Sequence, residues 1–421
     1  MPISIPRPGT SKAGVASVAP NLGPSDVRLC AYHSLDELQI LRPAWDLLLS
    51  EYPPATTFST WEWLSCWWQC FGGNRQLLVL ALFDQSSLVG LAPFSISTES
   101  TGWTSLRVLR LMGDGSGDSD NLDLIVRPGF EMRFAELILG ELTQRRRLWD
   151  VCQLNSLPPN TLVGERLRQL LSSSPWVCFE YRSKSSAVHL GDSWDTYSQL
   201  LSSEDRKNLV RYARRMQTRY GTKIYRCTDP DQVPCYLDAL FRLHQERWQH
   251  SGQTGSFSLP ERREFYSLLS RCLLHRGWLE LWVLELDGTI AAVQFAFRYG
   301  ARVFQLQEGY DPKRASDRVG FVLRGEVLKQ LISEKVQVYD FLGGQDPYKA
   351  RWGAREGHYL HLHFAPRFGR GAVWLQYVNT ASRSKEWLRD RVPASAWKLL
   401  HKANQTLRRT TAMRSQPPHP D

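Results

Sequence analysis

Tyr339-Asp340-Phe341-Leu342-Gly343-Gly344-Gln345-Asp346-Pro347-Tyr348-Lys349-Ala350-Arg351-Trp352-Gly353 reads as a short apolar strand, a Gly-Gly break, and a dense cluster of acid, base and aromatic groups. Strand ends are where a rigid scaffold presents chemistry. A plain turn with a solvated charge pair has the same spacing. What flanks the segment separates the two readings.

Upstream lie a strand over 302–310, the basic loop Asp311 to Gly320, a helix over 319–333 and a strand over 336–341. The order strand, basic loop, helix, strand leads directly into the Gly-Gly break. Further back, strands over 278–286 and 289–299 flank Asp287-Gly288, a two-residue hairpin signal. Helices are expected over 193–201, 205–219 and 234–249, and a last strand over 359–365. The first half shows a similar succession. Helices over 36–49 and 60–71 precede strands over 76–83, 88–96, 106–112 and 122–126, then a helix over 130–144 and a strand over 149–154. The shared order implies two copies of one α/β unit.

The chain has 421 residues, 42% of them apolar and 11% aromatic, enough for more than one buried core. Its net charge of +10 is uneven: from Arg383 to Arg414 nine basic residues face only Glu386 and Asp390. Helical stretches over 372–387 and 394–408, split by Pro393, make this tail basic and amphipathic. Peripheral membrane contact and packing onto the domain surface are both open to it. Eight cysteines without a CxxC pair suit a reducing cytosol. Residues 1–26 are rich in Pro, Ser, Gly and Ala, which predicts disorder, with no apolar core of signal-peptide type. No window is apolar enough to span a bilayer. A cytoplasmic protein, membrane-associated at most through its tail, is expected.

Four constellations could carry chemistry. The N-terminus of the helix at Val319-Gly320 offers unpaired N–H groups to a pyrophosphate, with Lys313, Arg314 and Arg318 beside it. Arg206, Lys207, Arg211, Arg214 and Arg215 give one helix a cationic character with few acids, suited to phosphate, nucleic acid or an acidic ligand. His244 and Glu246 are candidate bases, although a lone helical His is more often structural. Gly113 to Asp120 has the composition of a calcium loop but lacks its regular ligand positions, so no metal site is expected.

Together these segments resemble the CelD/BcsL-type acetyltransferases of bacteria, a branch of the GNAT superfamily close to the FemAB-like transferases. The resemblance rests on Val188-His189-Leu190 through Leu209, Leu281 to Phe297, Gln305 to Gly320 and Tyr339 to Gly353, with Phe58 to Leu64 and Asn121 to Leu124 in the first half. It implies two tandem GNAT-like domains, residues 27–186 and 187–370, each a mixed sheet flanked by helices, followed by the basic tail 371–421. It implies acyl transfer from acetyl-CoA or a longer acyl-CoA to an amine on a sugar, sugar nucleotide or envelope precursor, in envelope or polysaccharide biosynthesis. Gln307, Glu308, Arg318, Val319 and Gly320 fall where the donor would bind, although Ser316 to Gly320 lacks the full glycine pattern of the GNAT phosphate loop. The strand ending at Tyr310 would supply backbone donors, Asp346 and Tyr348 the base and acid. Arg206, Lys207, Lys349, Arg351 and Trp352 would hold the acceptor or donor phosphates. FemAB-like relatives use aminoacyl-tRNA instead, which the basic helix and tail would suit. A non-catalytic scaffold of polysaccharide assembly is the third reading.

Overall fold

The computed structural model describes residues 27–172, 175–250, 255–344 and 346–391. The first half holds strands β1 (Val27–Tyr32), β2 (Gln76–Asp84), β3 (Ser87–Ser100), β4 (Ser105–Leu111), β5 (Ile125–Val126) and β6 (Val151–Leu157). Its helices are α1 (Leu35–Gln39), α2 (Arg42–Ser50), α3 (Trp61–Phe71), α4 (Glu131–Gln144) and α5 (Leu162–Ser172). Strand β7 (Trp176–His189) joins the halves. Then follow α6 (Trp194–Ser198), α7 (Ser203–Arg219), β8 (Thr222–Arg226), α8 (Val233–His250), α9 (Pro260–His275), β9 (Leu279–Leu286) and β10 (Thr289–Tyr299). The chain continues through β11 (Arg302–Tyr310), α10 (Val319–Ser333), β12 (Val338–Gly343), α11 (Pro347–Arg351), β13 (Arg355–Pro366) and α12 (Arg370–Arg391).

All strands join one mixed sheet, ordered β1-β2-β3-β4-β6-β13-β7-β12-β11-β10-β9-β8, with β5 beside β3. From either outer edge the pattern is the same. Four antiparallel strands lead to one parallel neighbour, β6 beside β4 or β12 beside β11. An antiparallel strand then follows, and here the halves exchange: β13, last in the chain, pairs with β6, while β7 pairs with β12. β7 and β13 pair with each other over their full facing length at the centre of the sheet.

Local chemistry accounts for most elements. Ser34 and Glu37 form a capping box at α1, and the Thr60 hydroxyl caps α3. Asp287 and Gly288 both take positive φ, as a tight hairpin turn requires. The single helix expected over 36–49 is two, because Pro43 starts a new one and cannot continue an old one. Six elements were not anticipated: β1, α5, β7, β8, α9 and α11. The expected boundary at 186/187 falls inside β7, and that at 370/371 falls inside α12, whose Ala372 and Leu375 are buried against the sheet. The second tail helix, 394–408, lies outside the described residues.

Candidate functional site

Parallel strands β11 and β12 pair only from Arg302 to Phe304 opposite Val338 to Asp340, then part. Two irregularities open them. Across from β10, the register slips between Phe295 and Ala296, leaving Leu306 as a bulge in β11. On β12, Leu342 adopts φ +60° and the pairing with β7 slips before Gly343. The Gly-Gly turn is then fastened from both halves of the molecule. Asp120 accepts from Gly343 N at 2.9 Å, and Ser186 Oγ donates to the Gly344 carbonyl at 3.1 Å.

The gap opens onto a cavity of about 680 Å³ between β11, α8, the start of α10 and α11. The loop before α10 is held by Asp317, which is buried, accepts from the Tyr220 hydroxyl at 3.2 Å and pairs with Arg215 at 3.5 Å. Arg318 sits at the N-cap of α10 with φ +56° and provides no side-chain cap, so the first N–H groups of that helix remain open.

Ten of the residues singled out in the sequence line this cavity: Gln307, Glu308, Tyr310, Arg318, Val319, Gly320, Asp346, Tyr348, Arg351 and Trp352. Three do not. Lys349 is buried, and its Nζ donates to the carbonyls of Phe341, Gly343 and Gly344 at 3.1, 2.6 and 3.2 Å. The expectation that it meets the ligand is corrected: the broken strand leaves carbonyls that need a donor, and Lys349 closes the turn on itself. Arg206 and Lys207 lie with Val210, Arg211 and Arg214 in a separate open groove on α7. Of the alternative bases, His244 is buried beneath the cavity wall and accepts from Trp248 Nε1 at 2.9 Å. Burial, then Arg247 and Arg262, push its pKa down to about 4, so it is neutral. Glu246 pairs with Arg242 on the surface.

The cavity residue with the strongest electrostatic setting was missed. Arg324, one turn into α10, is buried and paired with Glu308. The rings of Tyr348, Phe341 and Trp352 surround its guanidinium at 5.0, 5.6 and 5.9 Å. Burial opposes its charge, but Glu308, Tyr339 and Tyr348 together outweigh that and hold the cation. Arg247 flanks Glu308 from the other side at 3.8 Å. Desolvation in the cavity pushes the Tyr348 phenol up to about 12 against the pull of Arg324, with Glu308 and Asp346 adding to the rise. Asp346 stands at the N-cap of α11 without a capping bond, and Arg351 pairs with Asp205 across the cavity mouth. Trp352 packs on Phe321 at 5.0 Å. The cavity thus combines open backbone donors, a fixed cation–carboxylate pair, a protonated phenol and an unengaged carboxylate.

Asp118 and Asp120 of the glycine-rich loop serve the fold: Asp118 Oδ1 accepts from Arg262 at 2.6 Å and Tyr266 at 2.8 Å. Among the described residues no group of three His, Cys, Asp or Glu side chains is placed to hold a metal. Nor, among them, is any helix long and apolar enough to cross a membrane.

Residues 203–350 match the family model of an acetyltransferase (GNAT) domain. That span carries every lining residue of the cavity except Arg351 and Trp352. No curated protein matches the chain. Among solved structures, the chain is similar to FemX, at 10% identity and a TM-score of 0.55, over 79% of this chain and 96% of that one. The C-terminal domain of a putative lysylphosphatidylglycerol synthetase from Agrobacterium fabrum aligns at 13% identity and a TM-score of 0.47, over 80% of this chain and 95% of that one. A tandem GNAT protein from the clavulanic acid biosynthesis pathway aligns at 12% and 0.45, over 82% and 99%. The fold is mixed α/β, and its C-terminal half carries the stretch that matches the GNAT domain model.

Proposed function

We propose that this protein is an N-acyltransferase of the CelD/BcsL type, moving an acyl group from acyl-CoA to an amine on an amino sugar or envelope precursor. The observation that carries the reading is the parting of β11 and β12 over the uncapped start of α10. Coenzyme A would supply an activated acyl thioester. The residues present suit it: the open N–H groups of α10 and the Arg318 guanidinium bind phosphate. On the edge of β11 facing the gap, the backbone of Gln305 to Tyr310 has no β12 partner, and its N–H groups can polarise an acyl carbonyl.

An amine must lose a proton to attack, and a thiolate must gain one to leave. Glu308 is engaged by Arg324 and Arg247, which leaves Asp346 at the cavity rim as the proton acceptor. Tyr348 remains protonated up to about pH 12 and donates to the departing sulfur. Each of Asp346→Asn and Tyr348→Phe should then lower turnover by about 10²-fold or more. Near-wild-type turnover in both would remove the assignment.

The exposed cations of α7 favour a second reading, a FemAB-like transferase using aminoacyl-tRNA. One experiment separates the two. The protein is incubated with acetyl-CoA and longer acyl-CoAs, with and without amino sugars, while thiol release is followed and tRNA retention is measured on filters. Amine-dependent thiol release supports acyl-CoA; tRNA retention with no thiol release sinks it.

A further inference from the structure

The outer face of α12 carries a patch that the acyl-transfer site does not use. Phe368, just before the helix, is 88% exposed, and Val373 and Tyr377, one turn apart, also face solvent. Trp103, in the β3–β4 connection, is exposed and meets the Tyr377 ring edge-on at 6.2 Å. These side chains are not needed by the core, because α12 already buries Ala372 and Leu375 on its opposite side. An apolar patch left in water beside a packed core marks an interaction surface.

Arginines surround it. Arg367 lies against the Phe368 ring at 6.0 Å. Arg370 and Arg107 both reach Asp150, at 2.9 and 3.0 Å. Arg107 also donates to the carbonyl of Arg147, which places exposed Arg146, Arg147 and Leu148 at the rim. Asp150 thus answers two of these arginines, Arg107 and Arg370. Sequence beyond the helix continues the charge, with five basic residues and no acid from Val392 to Arg414.

We propose that this patch docks the protein on an anionic lipid surface, with Trp103, Phe368 and Tyr377 in the interface and the arginines on lipid phosphates. Aromatic rings favour the headgroup boundary, and long basic side chains reach past them to phosphate. The sign and number of the charges select a lipid surface over a neutral protein face. The inference stands apart from the acyl-transfer reading, since docking is measured without turnover.

The test is flotation of the full chain with phosphatidylcholine vesicles, with and without phosphatidylglycerol. Two double variants leave the C-terminal segment intact: Phe368→Ser with Tyr377→Ser, and Arg146→Glu with Arg147→Glu. Being exposed, they should melt like the wild type. The wild type should float only with phosphatidylglycerol, and each double variant should bind at least about tenfold less. Three results overturn the proposal. They are unchanged flotation of both variants, no flotation of the wild type, and a wild-type dimer in light scattering that the same substitutions disperse.

Discussion

Arg324 sets the character of the cavity from a position the loop chemistry does not advertise. Burying a guanidinium is costly unless it is paired, and here Glu308 and three aromatic rings answer for it. Removing the charge but not the bulk, with Arg324→Met, takes away the nearer partner of Glu308 and leaves it Arg247 at 3.8 Å. We expect a loss of about 3 kcal/mol in urea unfolding and a loss of turnover larger than the folded fraction explains. Arg324→Lys should recover the stability in part, because an ammonium restores charge without the planar fork. Equal turnover in wild type and Arg324→Met would make the pair structural only. The place of Asp346 and Tyr348 on the cavity was legible because the order strand, basic loop, helix, strand leads into the Gly-Gly break before them. Lys349 was misplaced because sequence gives a side chain's charge but not its direction, and unpaired carbonyls only exist once the strand has broken. Arg324 was passed over because an arginine inside a helix usually points to water.

Helix α8 shows how an element can carry a site without contributing its chemistry. Its backbone lies so close to β11 that a Cβ on Gly309 would come within 3.0 Å of His244 N and the Leu240 carbonyl. That approach seats Arg247 and Trp248 on the cavity wall, with Trp248 held by neutral His244. Because the His244 pKa falls to about 4 on folding, its contribution is fully present above the ordinary value of about 6.5 and is lost as pH falls through 4. On that linkage the wild type should lose on the order of 3 kcal/mol between pH 7 and pH 3.5 from this group alone. His244→Gln keeps an acceptor for Trp248 and removes the titration, so urea unfolding at the two pH values should show a smaller difference. An unchanged difference would clear His244 of the role. Elements were read where long apolar runs met clear turn signals, as in β9 and β10 on either side of Asp287-Gly288. β7 escaped because its face alternates toward Ser, Arg, Lys and Glu and lies half-buried, which resembles a polar linker.

At the scale of the molecule, two similar halves are expected from the repeated order of elements, and the sheet shows them. Their exchange of β7 and β13 could not be read, since pairing partners are set by tertiary packing. That exchange decides how the protein unfolds. If each half held its own last strand, the halves could melt separately. Instead β13 lies between β6 of one half and β7 beside the other, and Leu362 is fully buried opposite Leu154. The main core cluster likewise runs through residues of both halves, from Leu38 to Phe364. Leu362→Ala should therefore cost about 2–5 kcal/mol and lower one shared transition. Calorimetry would show a single peak moved down intact, with calorimetric and van't Hoff enthalpies in agreement. Two peaks, with only one of them displaced, would mean that β13 belongs to a single half and that the crossing does not couple them.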